Sequence, residues 1–116
     1  MRIAVLLKEV PDTYSDRDMN LETGLTDRSG DVAADEVGER AVEAALRIAE
    51  KLGKDDVQVE VLSVGPAQAA ESVRRGIAMG AQEATMVTDD RLVGADTTMT
   101  ATVLAKLIER GDYDLV

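Results

Sequence analysis

Cysteine, histidine, phenylalanine and tryptophan are all absent from this 116-residue chain, and tyrosine occurs only twice. Without cysteine or histidine there is no disulfide, no thiol nucleophile, no histidine-based triad and no zinc site of the usual Cys/His kind. Carboxylates alone can hold magnesium or calcium, but no D-x-D-x-D-G loop is present to do so. Aromatics make up 2% of the residues, which leaves no stacking platform for single-stranded nucleic acid. Basic residues are scarce too. Lys and Arg number 13 against 23 Asp and Glu, and the net charge of −10 disfavours both phosphate backbones and anionic membrane surfaces. No apolar run has membrane-spanning length, because "IAVLL" is followed at once by charge, and no signal-peptide pattern occurs. Lack of cysteine fits a reducing compartment, so the cytoplasm is the expected location.

What remains is an ordinary globular balance of 45% hydrophobic and 31% charged residues, enough for one small domain cored with Ala, Val, Leu, Ile and Met. Ile3 to Leu7 is a continuous apolar run, the pattern of a strand buried on both faces of a parallel sheet. "VPDTYSDRDMN" reads as a loop leaving that strand, and "LETGLTDRSGD" as a small hairpin around Gly24. From Asp35, an N-cap, the period becomes helical. Val37, Ala41, Val42, Ala45, Leu46, Ala49 and Leu52 form the inner stripe, Glu36–Arg40 and Glu43–Arg47 are four-apart pairs, and Gly53 closes the helix. "VQVEVLSV" is a strand that gains apolar cover on its second face toward its end. Pro66 suits a first helical position, with Ala70, Val73 and Ile77 turned inward, Arg74 and Arg75 near the helix C-terminus, and Gly80 ending it. "EATMVT" is the third core strand. "DDRLVGAD" is a loop, and Asp96 caps a helix whose inner face is Thr100, Ala101, Leu104, Leu107 and Ile108. The order βαβαβαβ predicts an α/β fold with an open, mostly parallel sheet and helices on both faces. "GDYDLV" reads as the beginning of a fourth core strand, so the expectation is that residues 1–116 are the N-terminal part of a single, longer α/β nucleotide-binding domain.

In such sheets ligands sit beyond the C-terminal strand ends. Lys8–Tyr14, Val64–Gln68 and Thr88–Asp96 reach that edge, and Ala33–Gly38 leads into a helix that starts there. Lys8 is either a solvated strand-end charge or a cation facing a nucleotide or an acidic partner. Asp12 reads as a turn former. Gly65-Pro66 places free backbone N–H groups at a helix start, which serves equally as a plain strand-to-helix turn or as an anion site. No Walker loop and no G-x-G-x-x-G supports the second reading; Gly76 reads as a close-packing residue instead. Asp89 and Asp90 read as a solvated loop. No nucleophile, acid–base pair or oxyanion device can be assembled, so a catalytic site is not expected.

Four segments go further. "IAVLLKEVPDTYSDR", "DEVGERAVEAALRIAE", "VLSVGPAQAAESVRRGIAMGAQEATMVTDD" and "GADTTMTATVLAKLIE" resemble, in order and interval, the N-terminal signatures of the electron transfer flavoprotein β subunit, in its bacterial form. The resemblance covers almost the whole chain. It implies a Rossmann-like, adenine-nucleotide-binding fold in a non-catalytic subunit of a heterodimer. The α subunit holds most of the redox-active FAD. Electrons pass from flavoprotein dehydrogenases to a downstream acceptor. The β subunit itself binds AMP, or a second FAD in electron-bifurcating members.

Carried over to this chain, the resemblance implies a nucleotide pocket at Leu6, at the helix start Asp35, Glu36, Val37 and Gly38, and at Val64, Gly65 and Pro66. Asp12 and Thr13 would face the flavin side of the heterodimer. Gly38 stands where many members have Asn, which removes a side-chain amide and leaves backbone contacts. Gln82 replaces a usual Asp. Family subunits are longer, with their main phosphate-gripping loop and dehydrogenase-recognition segment in the later part. The isolated 116 residues are therefore expected to bind AMP weakly or not at all, and to self-associate through an unpaired sheet edge. An ATP-binding regulatory module of the universal-stress-protein kind shares the architecture but needs a G-x-x-G…G-[ST] signature not found here. Adenylating and amidohydrolysing α/β enzymes need a Gly/Ser-rich loop where this chain has "KEVPDTYSD".

Overall fold

Ile3, Val5 and Leu7 alternate with Ala4 and Leu6, and since both sets are apolar the segment is fitted to the inside of a sheet. In the computed structural model, which describes residues 1–116, it forms β1 (Arg2–Leu6). β1 pairs in parallel with β4 (Gln58–Val64), and β4 pairs in parallel with β5 (Glu83–Val87). On the other side of β1, Leu115 makes one parallel bridge to Ile3, and the Ala4 amide donates to the Leu115 carbonyl at 2.9 Å. Across the sheet the order is thus β5, β4, β1, Leu115, and the direction of progression reverses beside β1. That reversal is where open α/β sheets leave a crevice for ligands.

Helices cover both faces, as expected. On one face, Val42, Ala45 and Ala49 of α1 (Glu36–Leu52) and Val73 of α2 (Ala70–Met79) pack on Ile3, Val5, Leu7, Val59 and Val61. Gly76 is what lets α2 lie so close. A Cβ at that position would stand 2.6 Å from Cγ2 of Val61. On the other face, Leu6 and Leu62 share a cleft with Thr100 and Leu104 of α3 (Thr97–Gly111). The cap residues behave as their chemistry dictates: the carboxylates of Asp35 and Asp96 accept from the amides of Gly38 and Met99, at 2.9 and 2.8 Å, and Gly53 closes α1 at φ 108°.

Several local expectations are corrected. A small hairpin does close around Gly24, with Met19 bridging Thr26 antiparallel, but the sequence reading does not foresee a second hairpin. Val10 and Pro11, read as loop, belong to β2 (Glu9–Pro11), which pairs antiparallel with β3 (Val32–Ala34). Between them, Met19 bridges Thr26, the Asn20 amide donates to the Leu25 carbonyl at 2.8 Å and the Asp27 amide to the Asp18 carbonyl at 2.9 Å, and the Asn20 side chain accepts from the Glu22 and Thr23 amides. Such Asx bonding holds a turn without a ladder. In α1 the stripe is shorter than its periodicity suggests. Val37 and Leu52 are 71% and 58% exposed because the first and last turns overshoot the sheet, and Ala41 is exposed as well. Pro66 precedes the helix rather than starting it, capping a 3-10 turn (Ala67–Ala69) with an extended ψ of 164°. In α2, Gly76 is buried and Ile77 is exposed. Arg75 turns to Glu39 of α1 instead of its own helix end. No residue of α3 is fully buried; Val103, Leu104, Leu107 and Ile108 are half-covered and Ala101 is exposed. The expected beginning of a fourth strand is present as the parallel bridge from Leu115 to Ile3.

The residue that sequence reading missed is Glu60. It sits in β4 on the α3 face and is 5% exposed. Its Oε2 accepts from Tyr113 Oη at 2.6 Å and from Arg2 Nη2 at 3.0 Å, while Oε1 accepts from Thr85 Oγ1 at 2.7 Å. Arg2 also stacks over the Tyr113 ring, 4.9 Å from its centre, and donates to the Gly111 carbonyl. One carboxylate thus joins β1, β5 and the residues after α3. Burial, reinforced by the bond to Glu60, pushes the Tyr113 phenol up to about 12. This lies above the value of about 10 for an unfolded tyrosine. The hydroxyl therefore contributes fully to stability below pH 10, and its contribution is lost as pH rises through 12. In a Tyr14→Phe variant Tyr113 is the only phenol. Its ultraviolet titration should be centred near pH 12, and an ordinary tyrosine midpoint would contradict the Glu60 contact.

Candidate functional site

β1 ends at Leu6, and the chain does not continue straight into α1. It loops through β2 and β3 and returns at Ala34, where the Asp35 amide donates to the Lys8 carbonyl at 2.8 Å. This bond fixes the first turn of α1 beside the C-terminal end of β1. The result is a cleft of about 300 Å³ at the reversal point of the sheet, lined by Leu6, Asp35, Val37, Gly38, Val64 and Leu104 among others. The lining is mainly apolar. Asp35 is not free to act in it as an open carboxylate, since Oδ2 is engaged by the Gly38 amide. Gly38 forms part of the wall at close quarters: a Cβ there would lie 2.7 Å from Leu7 Cδ1 and 3.3 Å from the Leu6 carbonyl oxygen.

A second cleft of about 370 Å³ adjoins the first and shares Lys8, Val64 and Thr100 with it. It lies between the Gly65–Gln68 corner, Leu25–Arg28 and the loop from Asp89 to Ala95. Lys8 stands at the junction, its Nζ donating to the Val64 carbonyl at 2.8 Å. Burial lowers its pKa below the ordinary lysine value, Arg28 lowers it further, and Glu9 opposes both. Asp89 caps the short turn Asp90–Leu92 and grips Arg91, which holds its pKa down at about 2. No group of three or more acidic residues is arranged to hold a metal ion.

Residues 23–116 match the electron transfer flavoprotein domain family. The chain belongs to the electron transfer flavoprotein family. It is 41% identical over 109 residues to the electron transfer flavoprotein subunit beta of Mycobacterium tuberculosis, covering 91% of this chain and 41% of that one. It is 41% identical over all 116 residues to the subunit beta of Thermoanaerobacterium thermosaccharolyticum, of which this is 44%. Another relative, the CarD subunit of the caffeyl-CoA reductase–Etf complex of Acetobacterium woodii, is 38% identical over 111 residues, 95% of this chain and 41% of that protein. The chain thus spans about four-tenths of the length of these curated relatives.

Within this electron transfer flavoprotein chain, the residues expected to form a pocket divide into three groups. Leu6, Asp35, Val37, Gly38 and Val64 come together in the first cleft. Gly65 and Pro66 line the second, with Val64 as the shared wall. Glu36 lines neither and is exposed on the first turn of α1. Asp12 and Thr13 also lie outside both clefts. Asp12 ends the hairpin, its amide donating to the Asp31 carbonyl at 2.9 Å and its Oδ1 accepting from the Tyr14 amide at 3.0 Å. The turn-forming role read from the sequence holds for Asp12. Leu104 and Thr100 were placed on an inner helix face by their spacing, but that they line the cleft follows only from where α3 crosses the sheet. No helix is long and apolar enough to cross a membrane.

Proposed function

We propose that this chain is the N-terminal part of the β subunit of a heterodimeric electron transfer flavoprotein, a carrier and not an enzyme. It passes electrons from flavoprotein dehydrogenases to a downstream acceptor. The observation that carries the reading is the apolar cleft at the sheet's reversal point, which gathers five of the eight expected pocket residues. The cleft takes the adenine ring of AMP, or of a second FAD, between Val37 and Gly38 on one side and Val64 and Leu104 on the other. The flavin that accepts electrons is shared with the α subunit, and the turn of half-buried Asp12 and exposed Thr13 faces it. The chemistry of electron uptake is supplied by that flavin when bound. This chain's residues do the binding, mainly through the apolar lining of the cleft. The protein works in the cytoplasm.

Co-production of the full-length protein with a longer flavin-binding subunit tests this. The expected product is a yellow complex from which denaturation releases FAD and one adenine nucleotide per β chain. A colourless preparation, or failure of the two subunits to copurify, would sink the assignment. The ratio of AMP to FAD in the extract identifies the nucleotide.

A further inference from the structure

Lys8 and Arg28 meet in the second cleft without a carboxylate of their own. The ion pairs of the chain are made by Arg2, Arg47, Lys54, Arg75 and Arg91, and these two cations take part in none. Each is held instead by a backbone carbonyl, Lys8 Nζ by Val64 at 2.8 Å and Arg28 Nη1 by Glu9 at 3.3 Å. Two carboxylates also line the cleft, but both are engaged. Glu9 is 7% exposed and its Oε2 accepts from Ser72 Oγ at 2.8 Å. Asp89 accepts from Arg91 Nε through both oxygens, at 3.0 and 3.1 Å.

Holding two like charges near each other is unfavourable, and Arg28 is one of the causes of the lowered Lys8 pKa. Of the carboxylates lining the cleft, only Glu9 acts on Lys8, and its Oε2 is already taken up by Ser72. The walls around the two cations are suited to an anion. Thr26, Gln68 and Thr100 offer hydrogen-bond donors, and Gly65 leaves room beside Lys8, where a Cβ would stand 3.6 Å from Nζ.

We propose that Lys8 and Arg28 bind an oxyanion of the phosphate class in this cleft. An anion between them removes their repulsion and gains charge-assisted hydrogen bonds from both. The site adjoins the adenine cleft through Lys8, Val64 and Thr100, but stands whether or not that cleft takes a nucleotide base. Its anion is either a phosphate borne by a nucleotide or a free phosphate.

The full-length protein is titrated calorimetrically with AMP, adenosine and inorganic phosphate at constant ionic strength, alongside Arg28→Gln and Lys8→Gln. Arg28 is exposed, so its variant should unfold at the wild-type urea concentration. Each variant should weaken oxyanion binding roughly tenfold, the loss expected for one charged hydrogen bond. A tenfold loss for AMP with adenosine unchanged identifies a nucleotide-borne phosphate. A loss for inorganic phosphate with AMP unchanged identifies a free one. If Arg28→Gln alters neither affinity, the proposal is overturned, whatever Lys8→Gln does.

Discussion

Glu60→Ala should lower the unfolding free energy by about 3 kcal/mol, read as a shift of the urea midpoint with little change in slope. The size follows from what the carboxylate leaves behind. The side chains of Tyr113, Thr85 and Arg2 all donate to it; those of Tyr113 and Thr85 make no other hydrogen bond, while Arg2 also donates to the Gly111 carbonyl and pairs with Glu83 at 3.8 Å. Removing Glu60 strands two hydroxyls in a covered site and takes one partner from the Arg2 guanidinium, and each stranded donor costs more than a hydrogen bond is worth when made. Arg2 is about one-third exposed and recovers part of its hydration, which keeps the loss below that of a fully buried pair. Glu60→Gln keeps one acceptor oxygen and should cost less than Glu60→Ala. Because the same carboxylate ties β1 to the residues after α3, the Ala4 amide, bonded to Leu115, should exchange with solvent faster in Glu60→Ala. A loss under 1 kcal/mol, or unchanged protection at Ala4, would show that Glu60 does not organise this end of the sheet.

Gly38→Val should both destabilise the protein and empty the cleft proposed for the adenine ring. The new Cβ is opposed at 2.7 Å by a side-chain atom of Leu7, and at 3.3 and 3.4 Å by the Leu6 carbonyl oxygen and Leu7 Cα. Leu7 is 2% exposed and also borders Gly76, so it cannot swing away freely, and the backbone atoms do not yield. The first turn of α1 must move off β1, which disturbs the Asp35 cap at the Gly38 amide. Overpacking of this kind costs about 2 kcal/mol. Valine's methyls would also project where the ring is expected to lie. In the proposed heterodimer, Gly38→Val should therefore retain the flavin of the α subunit and lose the adenine nucleotide of β. Retention of both at wild-type ratio would remove Gly38 from the pocket wall.

A polar network like that of Glu60 was not legible beforehand, and the reason is instructive. In "VQVEVLSV" the glutamate stands at the outward phase of an alternating pattern, where a solvated charge is the plain expectation. Its burial depends on α3 and Tyr113 crossing that face, contacts 25 to 53 residues away in the chain. The same holds for Val37 and Leu52. Period fixes which side of a helix they occupy, but how far the helix overshoots the sheet is set by the neighbouring strands.

By itself the sequence determined the classes that absences rule out, the parallel α/β order with helices on both faces, the caps at Asp35, Gly53 and Asp96, and through four ordered segments the family. These are local matters, decided by side-chain chemistry over a few residues or by periodicity within one element. Only the tertiary structure decided that β2 and β3 form a hairpin returning the chain to Lys8, that Glu60 is interior, and that Lys8 and Arg28 line one cleft. Those outcomes depend on pairings between distant segments. Strand register and helix overhang set them, and no window of the sequence contains either.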